Sequence, residues 1–150
     1  MQTTQASTER RHAAQTKLAT LLESRKETLS LYNYLAGLRP FKPDQDLKQV
    51  LQEFCEALVD YTASAHFQLY RFIDEGRERR ANVRDVADQA YPPIAHTTQQ
   101  ILDFNEKYDS HEHCGDLNDL DNDLSHLGEI LADRIQYEDK IIAALSEGRG

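Results

Sequence analysis

The strongest constraint on the fold of this chain is the spacing of apolar residues in its C-terminal third. Leu117, Leu120, Leu124, Leu127 and Leu131 recur at alternating steps of three and four, and Ile141 and Leu145 resume the series. An α-helix turns through about 100° per residue, so such a series gathers into one stripe while the Asp, Asn, Ser and Glu between its members face outward. A strand cannot use the pattern, because its alternate residues point to opposite faces. A long helix with one apolar stripe must bury that stripe, and the rest of the chain offers partners of the same kind.

Leu18, Leu21, Leu22, Leu29, Tyr32 and Leu35 predict a helix from about Ala13 to Ala36, with Gly37 placed to end it. Pro40 and Pro43 then mark a short turn, after which Asp44 or Asp46 can cap a second helix. The stripe of that helix is Leu47, Leu51, Phe54, Leu58, Tyr61, Ala65, Leu69 and Phe72, with a stop near Gly76. Arg77 to Arg80 forms a charged connection to a helical stretch from about Ala81 to Ala90. Pro92 and Pro93 predict a kink or a fresh start, because proline fits the first turn of a helix but not its interior. The helix resumes from Ile94 to about Tyr108 with Ile94, Ile101, Leu102 and Phe104 on its apolar side, and Ser110 to Asp116 reads as a loop. The expected fold is all-α: an antiparallel bundle of long helices, the third kinked at the Pro-Pro pair. One domain spans residues 1–150, with a flexible polar tail over 1–12.

The chain has 17 Lys and Arg against 26 Asp and Glu, a net charge of −9. From Met1 to Leu102 the two signs balance at 13 each, whereas Asp103 to Gly150 holds 13 acidic and 4 basic residues. Such a surface repels nucleic acid and anionic lipid and attracts basic protein surfaces, unless its acidity serves only solubility. Direct nucleic-acid binding and a membrane partner are therefore not expected. No apolar run reaches the roughly 20 residues of a membrane span, and the N-terminus lacks the apolar segment of a signal peptide, so the cytoplasm is expected. Cys55 and Cys114 have neither disulfide-framework nor zinc-site spacing and read as reduced thiols.

Charges interrupt the core lines. Past Leu131 the last seam reaches Arg134 and Glu138, four residues apart, before Ile141; Arg25 falls on the apolar line of the first helix. His66 lies on a second stripe of helix two with Cys55, Val59, Thr62 and Ile73. A buried polar cluster of Arg25, His66, Arg134 and Glu138 follows. It can be a network that fixes helix register, a small-molecule or metal pocket, or boundary residues that snorkel to water. Metal spacing is poor, since di-iron bundles need a Glu-x-x-His on each of two helices and only Glu9 to His12 fits, with Asp123 to His126 a near match. His111, His113 and Cys114 lack a defined fourth ligand, and no Gly-x-Ser-x-Gly or phosphate-cradling loop occurs. No metal, cofactor or catalytic residue is expected.

A second break lies on helix two. Phe67 is nine residues from Leu58, half a circle from the main stripe, and Asp60 points almost the same way, with Glu53 and Glu56 earlier on that side. Phe67 either packs against a third helix or anchors a docking surface for a basic protein. The second reading names Glu56, Asp60, Tyr61, Phe67 and Arg71 as partner-binding.

Four blocks in order carry a family resemblance: RKETLSLYNYLAGLRP, LQEFCEALVDYTASAHFQLY, YPPIAHTTQQILDFN and LGEILADRIQYEDKII. Together they resemble the Rsd/AlgQ family over nearly the whole chain after the first dozen residues. Arg25 and Lys26, Phe54 and Cys55, Val59 to Tyr61, His66, Phe67, Tyr70, Pro92, Leu127, Gly128, Arg134, Glu138 and Asp139 match its pattern. The resemblance implies an anti-sigma factor, a monomer when free, that binds the primary sigma factor mainly through the domain reading the −35 promoter element and so favours alternative sigma factors. Asp60 and Phe67 are the expected contacts. Departures are Ala65 where the family has Gly, Leu21 for Trp, Ile135 for Phe, and Arg71 for an acid, which reverses a charge beside the proposed face.

Overall fold

The computed structural model describes the backbone of residues 2–70, 81–109 and 117–147 and the side chains of 18–69, 81–109 and 118–145. Among them are four α-helices and no strand: α1 (Gln2–Ala36), α2 (Gln45–Ala65), α3 (Ala81–Tyr108) and α4 (Leu117–Glu147). A π-helical turn, His66–Tyr70, continues α2. Helix α1 packs along α2 and α3 along α4, and α2 with α3 closes the two pairs around one core.

The apolar stripes become that core. Leu21 and Leu35 of α1, Leu51, Phe54 and Leu58 of α2, Ile94 and Ile101 of α3, and Leu120, Leu124, Leu127 and Ile141 of α4 are all buried. Aromatic rings join three helices. Phe54 lies 6.0 Å from Tyr32 and 5.9 Å, edge-on, from Phe104, which in turn meets Tyr108 at 4.7 Å. Leu102, expected on the apolar side of α3, is 46% exposed, because one step past Ile101 rotates it off the stripe.

Helix ends follow local chemistry. Asp44 sits in extended backbone at the start of α2, and its carboxylate accepts from Leu47 N at 2.9 Å. The spacing predicts a start for α1 at Ala13, yet the helix begins at Gln2. Once the packed turns are formed, adding a polar turn costs no new nucleation, so a helix can outrun its stripe. Helix α3 is one unbroken element through Pro92 and Pro93, so the expected fresh start does not occur. The prolines withhold N–H groups only from the carbonyls of Asp88 and Gln89, two exposed residues where water can serve instead.

Where α1 meets α4, the Tyr32 hydroxyl donates to the Leu124 carbonyl at 3.0 Å. Gly128, one turn on, makes room for it: a Cβ there would collide with that hydroxyl and stand 2.9 Å from Cζ. Arg39, just past α1, reaches Asp121 at 2.7 Å and Ser125 at 2.9 Å on the same helix.

Candidate functional site

Two polar features stand out against this frame, one inside the bundle and one on its surface. The inner one is built around Glu138 of α4, which is fully buried. Arg134, one turn earlier and 1% exposed, donates from Nε to Glu138 at 3.2 Å. Its other end donates to Thr98 Oγ1 at 2.8 Å, Thr97 Oγ1 at 3.1 Å and the Ile94 carbonyl at 3.5 Å, which ties α4 to α3. From α1, Arg25 stands 3.5 Å from Glu138 and 2.9 Å from Asp139. Tyr61 of α2 donates its hydroxyl to Glu138, and its ring lies 5.4 Å beneath the Arg134 guanidinium. Side chains of α1, α2 and α4 thus meet on one carboxylate, and α3 joins them through Arg134.

The charges tune one another. Burial pushes the Tyr61 phenol well above its usual range, and the Glu138 charge adds to that. Burial pulls the Arg25 guanidinium down, but Asp139 and Glu138 outweigh it and hold it above its ordinary value. Of the four residues expected in this cluster, Arg25, Arg134 and Glu138 come together, while His66 does not. His66 is exposed on the π turn with its ring edge-on to Phe67 at 5.2 Å, because the Cys55–Thr62 stripe turns away from the core as α2 ends. Tyr61, Thr97 and Thr98 are members that spacing missed. Tyr61 lies on the main stripe of α2, where a hydroxyl needs a buried partner, and that was the available signal.

The same observation corrects a surface expectation. Tyr61 is 1% exposed and cannot touch a partner, since its place in the Leu58, Tyr61, Ala65 stripe turns it inward. Glu56 and Asp60 are exposed, as are Val59 at 48% and Phe67 at 57%. Phe67 is therefore not sealed against a third helix. Arg71 lies outside the described residues, as do His111, His113 and Cys114 and the side chains of Glu9 and His12.

Two open grooves flank this ridge of α2. Toward α1, Glu27, Glu53, Glu56 and Asp60 surround Leu31 and the 60% exposed Tyr34 in a groove of about 510 Å³. Toward α3, Val59, Phe67, Tyr91, Ile94 and Ala95 line an apolar groove of about 550 Å³, with Arg134 at its floor. Carboxylates on one side of an aromatic anchor and apolar surface on the other suit a partner that is basic at its rim and apolar at its centre. Among the described residues, no three or more His, Cys, Asp or Glu are gathered where they could hold a metal, and no helix is long and apolar enough to cross a membrane.

Comparison with known proteins gives one answer. A family described as regulator of RNA polymerase sigma(70) subunit, Rsd/AlgQ, matches residues 1–146. A protein named regulator of sigma D from Pectobacterium atrosepticum is 34% identical over 131 residues, covering 81% of this chain and 82% of the relative. Proteins of the same name from Enterobacter sp. (strain 638) and Yersinia enterocolitica are 36% and 32% identical, covering 81% and 84% of this chain and 75% and 78% of their own lengths. No solved structure matches.

Proposed function

The chain belongs to the Rsd/AlgQ family of regulators of the RNA polymerase sigma(70) subunit, and from that premise we propose that it binds the primary sigma factor in the cytoplasm, as a monomer when free. It acts by occupancy and not by catalysis. The docking face is the outer side of α2, with Phe67 as anchor and Glu56 and Asp60 as acidic rim, and the sigma domain that reads the −35 promoter element is its main target. A domain that reads DNA presents basic side chains to phosphate, so an acidic helix face competes for the same surface. Covering that domain removes the housekeeping sigma factor from promoters and leaves polymerase to alternative sigma factors.

The observation that carries this reading is the 57% exposure of Phe67 beside exposed carboxylates on one helix face. A monomeric protein gains nothing from leaving that ring in water, whereas interfaces draw most of their energy from such anchors. The rival reading, a small molecule or metal held by Arg25, Arg134 and Glu138, needs those charges available, and they are engaged with one another.

Co-elution tests the proposal. Purified chain is mixed at micromolar concentration and low salt with the sigma factor, and separately with its promoter-reading domain. Complexes with both are expected, together with lower output from a housekeeping promoter in a reconstituted transcription reaction. Independent migration of all components would end the proposal.

A further inference from the structure

On the far side of Asp60 from Phe67, a third groove opens between α2 and the C-terminal end of α3, about 290 Å³ in size and lined by Gln52, Glu56, Val59, Asp60, Asn105 and Asp109. Asn105 is the unusual member. It is 6% exposed, and its amide nitrogen donates to the Cys55 carbonyl at 3.3 Å, which fixes the amide so that Oδ1 is the remaining atom. That oxygen is buried and has no hydrogen-bond partner among the described residues. A buried acceptor left unmade is costly, so a donor brought to this point by a partner adds to binding.

Everything around the orphan favours a cation as that donor. Glu56 and Asp60 contribute carboxylates from α2, and Asp109 one from just past the end of α3. Helix α3 ends at Tyr108, and Asp109 N still donates to the Asn105 carbonyl at 2.7 Å, so the negative end of the helix dipole lies at the groove. Several acceptors at different angles match the planar fork of a guanidinium, with its five N–H donors, better than the single point charge of an ammonium.

We infer that this groove is an arginine pocket: one arginine of the docked protein partner enters between α2 and α3, is held by Glu56, Asp60 and Asp109, and, as the side chains over Asn105 part, donates to its Oδ1. The inference rests on the proposed docking face and extends it across Asp60 to α3. It adds Asn105, four residues past Ile101 on the buried face of α3, and Asp109 as residues that choose arginine over lysine.

Titration calorimetry of the full chain with the full-length primary sigma factor tests it. Asn105→Ala and Asp109→Asn are each expected to weaken binding about tenfold or more, the scale of a hydrogen bond to a charged group. Asp85→Asn, an exposed charge at the other end of α3, should change it less than about twofold. Asn105→Ala removes the orphan together with the bond to the Cys55 carbonyl, so circular dichroism establishes first that the free variant is folded. One arginine of sigma, changed to lysine, should lose the same factor, and that loss should vanish in the Asn105→Ala background. Wild-type affinity in both Asn105→Ala and Asp109→Asn, or no coupled arginine, overturns the pocket and leaves the docking reading standing. Should the parent chain itself ignore sigma, the docking reading falls, and the pocket is then decided by following the Asn105 side-chain amide by NMR during addition of hexa-arginine or hexa-lysine. A shift with the first alone supports it; equal or absent shifts overturn it.

Discussion

Replacing Glu138 with Leu removes the carboxylate on which α1, α2 and α4 converge, and its cost can be worked from the geometry. At 3.2 Å from Arg134 Nε, the pair gains about 5 kcal/mol of Coulomb energy at an effective dielectric constant of about 20, offset by several kcal/mol for taking each ion out of water. Without Glu138, Arg134 keeps Thr97, Thr98 and the Ile94 carbonyl, all neutral, and its charge stays buried. Tyr61 loses its acceptor as well. The single change should therefore cost about 3–5 kcal/mol, the range for breaking a buried pair from one side. A domain of this size loses about 2–4 °C of melting temperature per kcal/mol, which predicts a fall of roughly 6–20 °C. Changing both members, Arg134→Met with Glu138→Leu, removes both desolvation costs and should recover most of the loss. Chemical denaturation of the parent, both single variants and the double variant closes the cycle. A Glu138→Leu protein within about 1 kcal/mol of the parent, or a double variant as unstable as the worse single, would refute the idea that these charges hold each other.

Three further outcomes are expected. Gly128→Ala gains about 1 kcal/mol of helix propensity but drives a methyl into the Tyr32 hydroxyl, and overpacking costs about 1–3 kcal/mol; thermal melts should thus show a net loss of up to about 2 kcal/mol. Burial would raise the Asp123 carboxyl, but hydrogen bonds from Lys107 at 2.7 Å and Tyr108 at 2.5 Å outweigh it and hold it below its usual range. A lowered folded-state value stabilises above the unfolded value and is lost as pH falls through the folded one, so the advantage of the parent over Asp123→Asn in denaturation should be full at pH 6 and fade below about pH 4. Tyr61→Phe should lower stability by about 1–2 kcal/mol and leave affinity for sigma unchanged, because that ring is sealed in the core.

The architecture was legible because the three-and-four spacing of α4 and α2 repeats often enough to leave one solution. Residues Leu51, Phe54, Leu58 and Leu124 fall where the stripe puts them. Boundaries followed the stripe less well, since helix formation at Gln2 and across Pro92 needs only a preformed turn and a solvated carbonyl. Arg134, Glu138 and Arg25 were visible as charges on apolar lines, and the cost of burying them alone implied that they meet. His66 failed the same test because the second stripe of α2 is covered at Cys55 but open at Val59. Tyr61 was legible twice, as core and as contact, and only its 1% exposure decides between them. Spacing places Asn105 four residues past Ile101 on the buried face of α3, but its unpartnered Oδ1 is a property of neighbours brought together by packing, which no single helix pattern encodes.

The most direct test of the docking face is the affinity of the isolated promoter-reading sigma domain for the parent chain, Asp60→Lys and Phe67→Ala, measured by fluorescence anisotropy at two salt concentrations. Loss of the aromatic anchor is expected to weaken binding by about thirtyfold or more at both, and reversal of the rim charge by about tenfold with a shallower salt dependence, with helicity by circular dichroism intact. Parent-like affinity in both variants would mean that sigma, if held at all, is held elsewhere on the bundle.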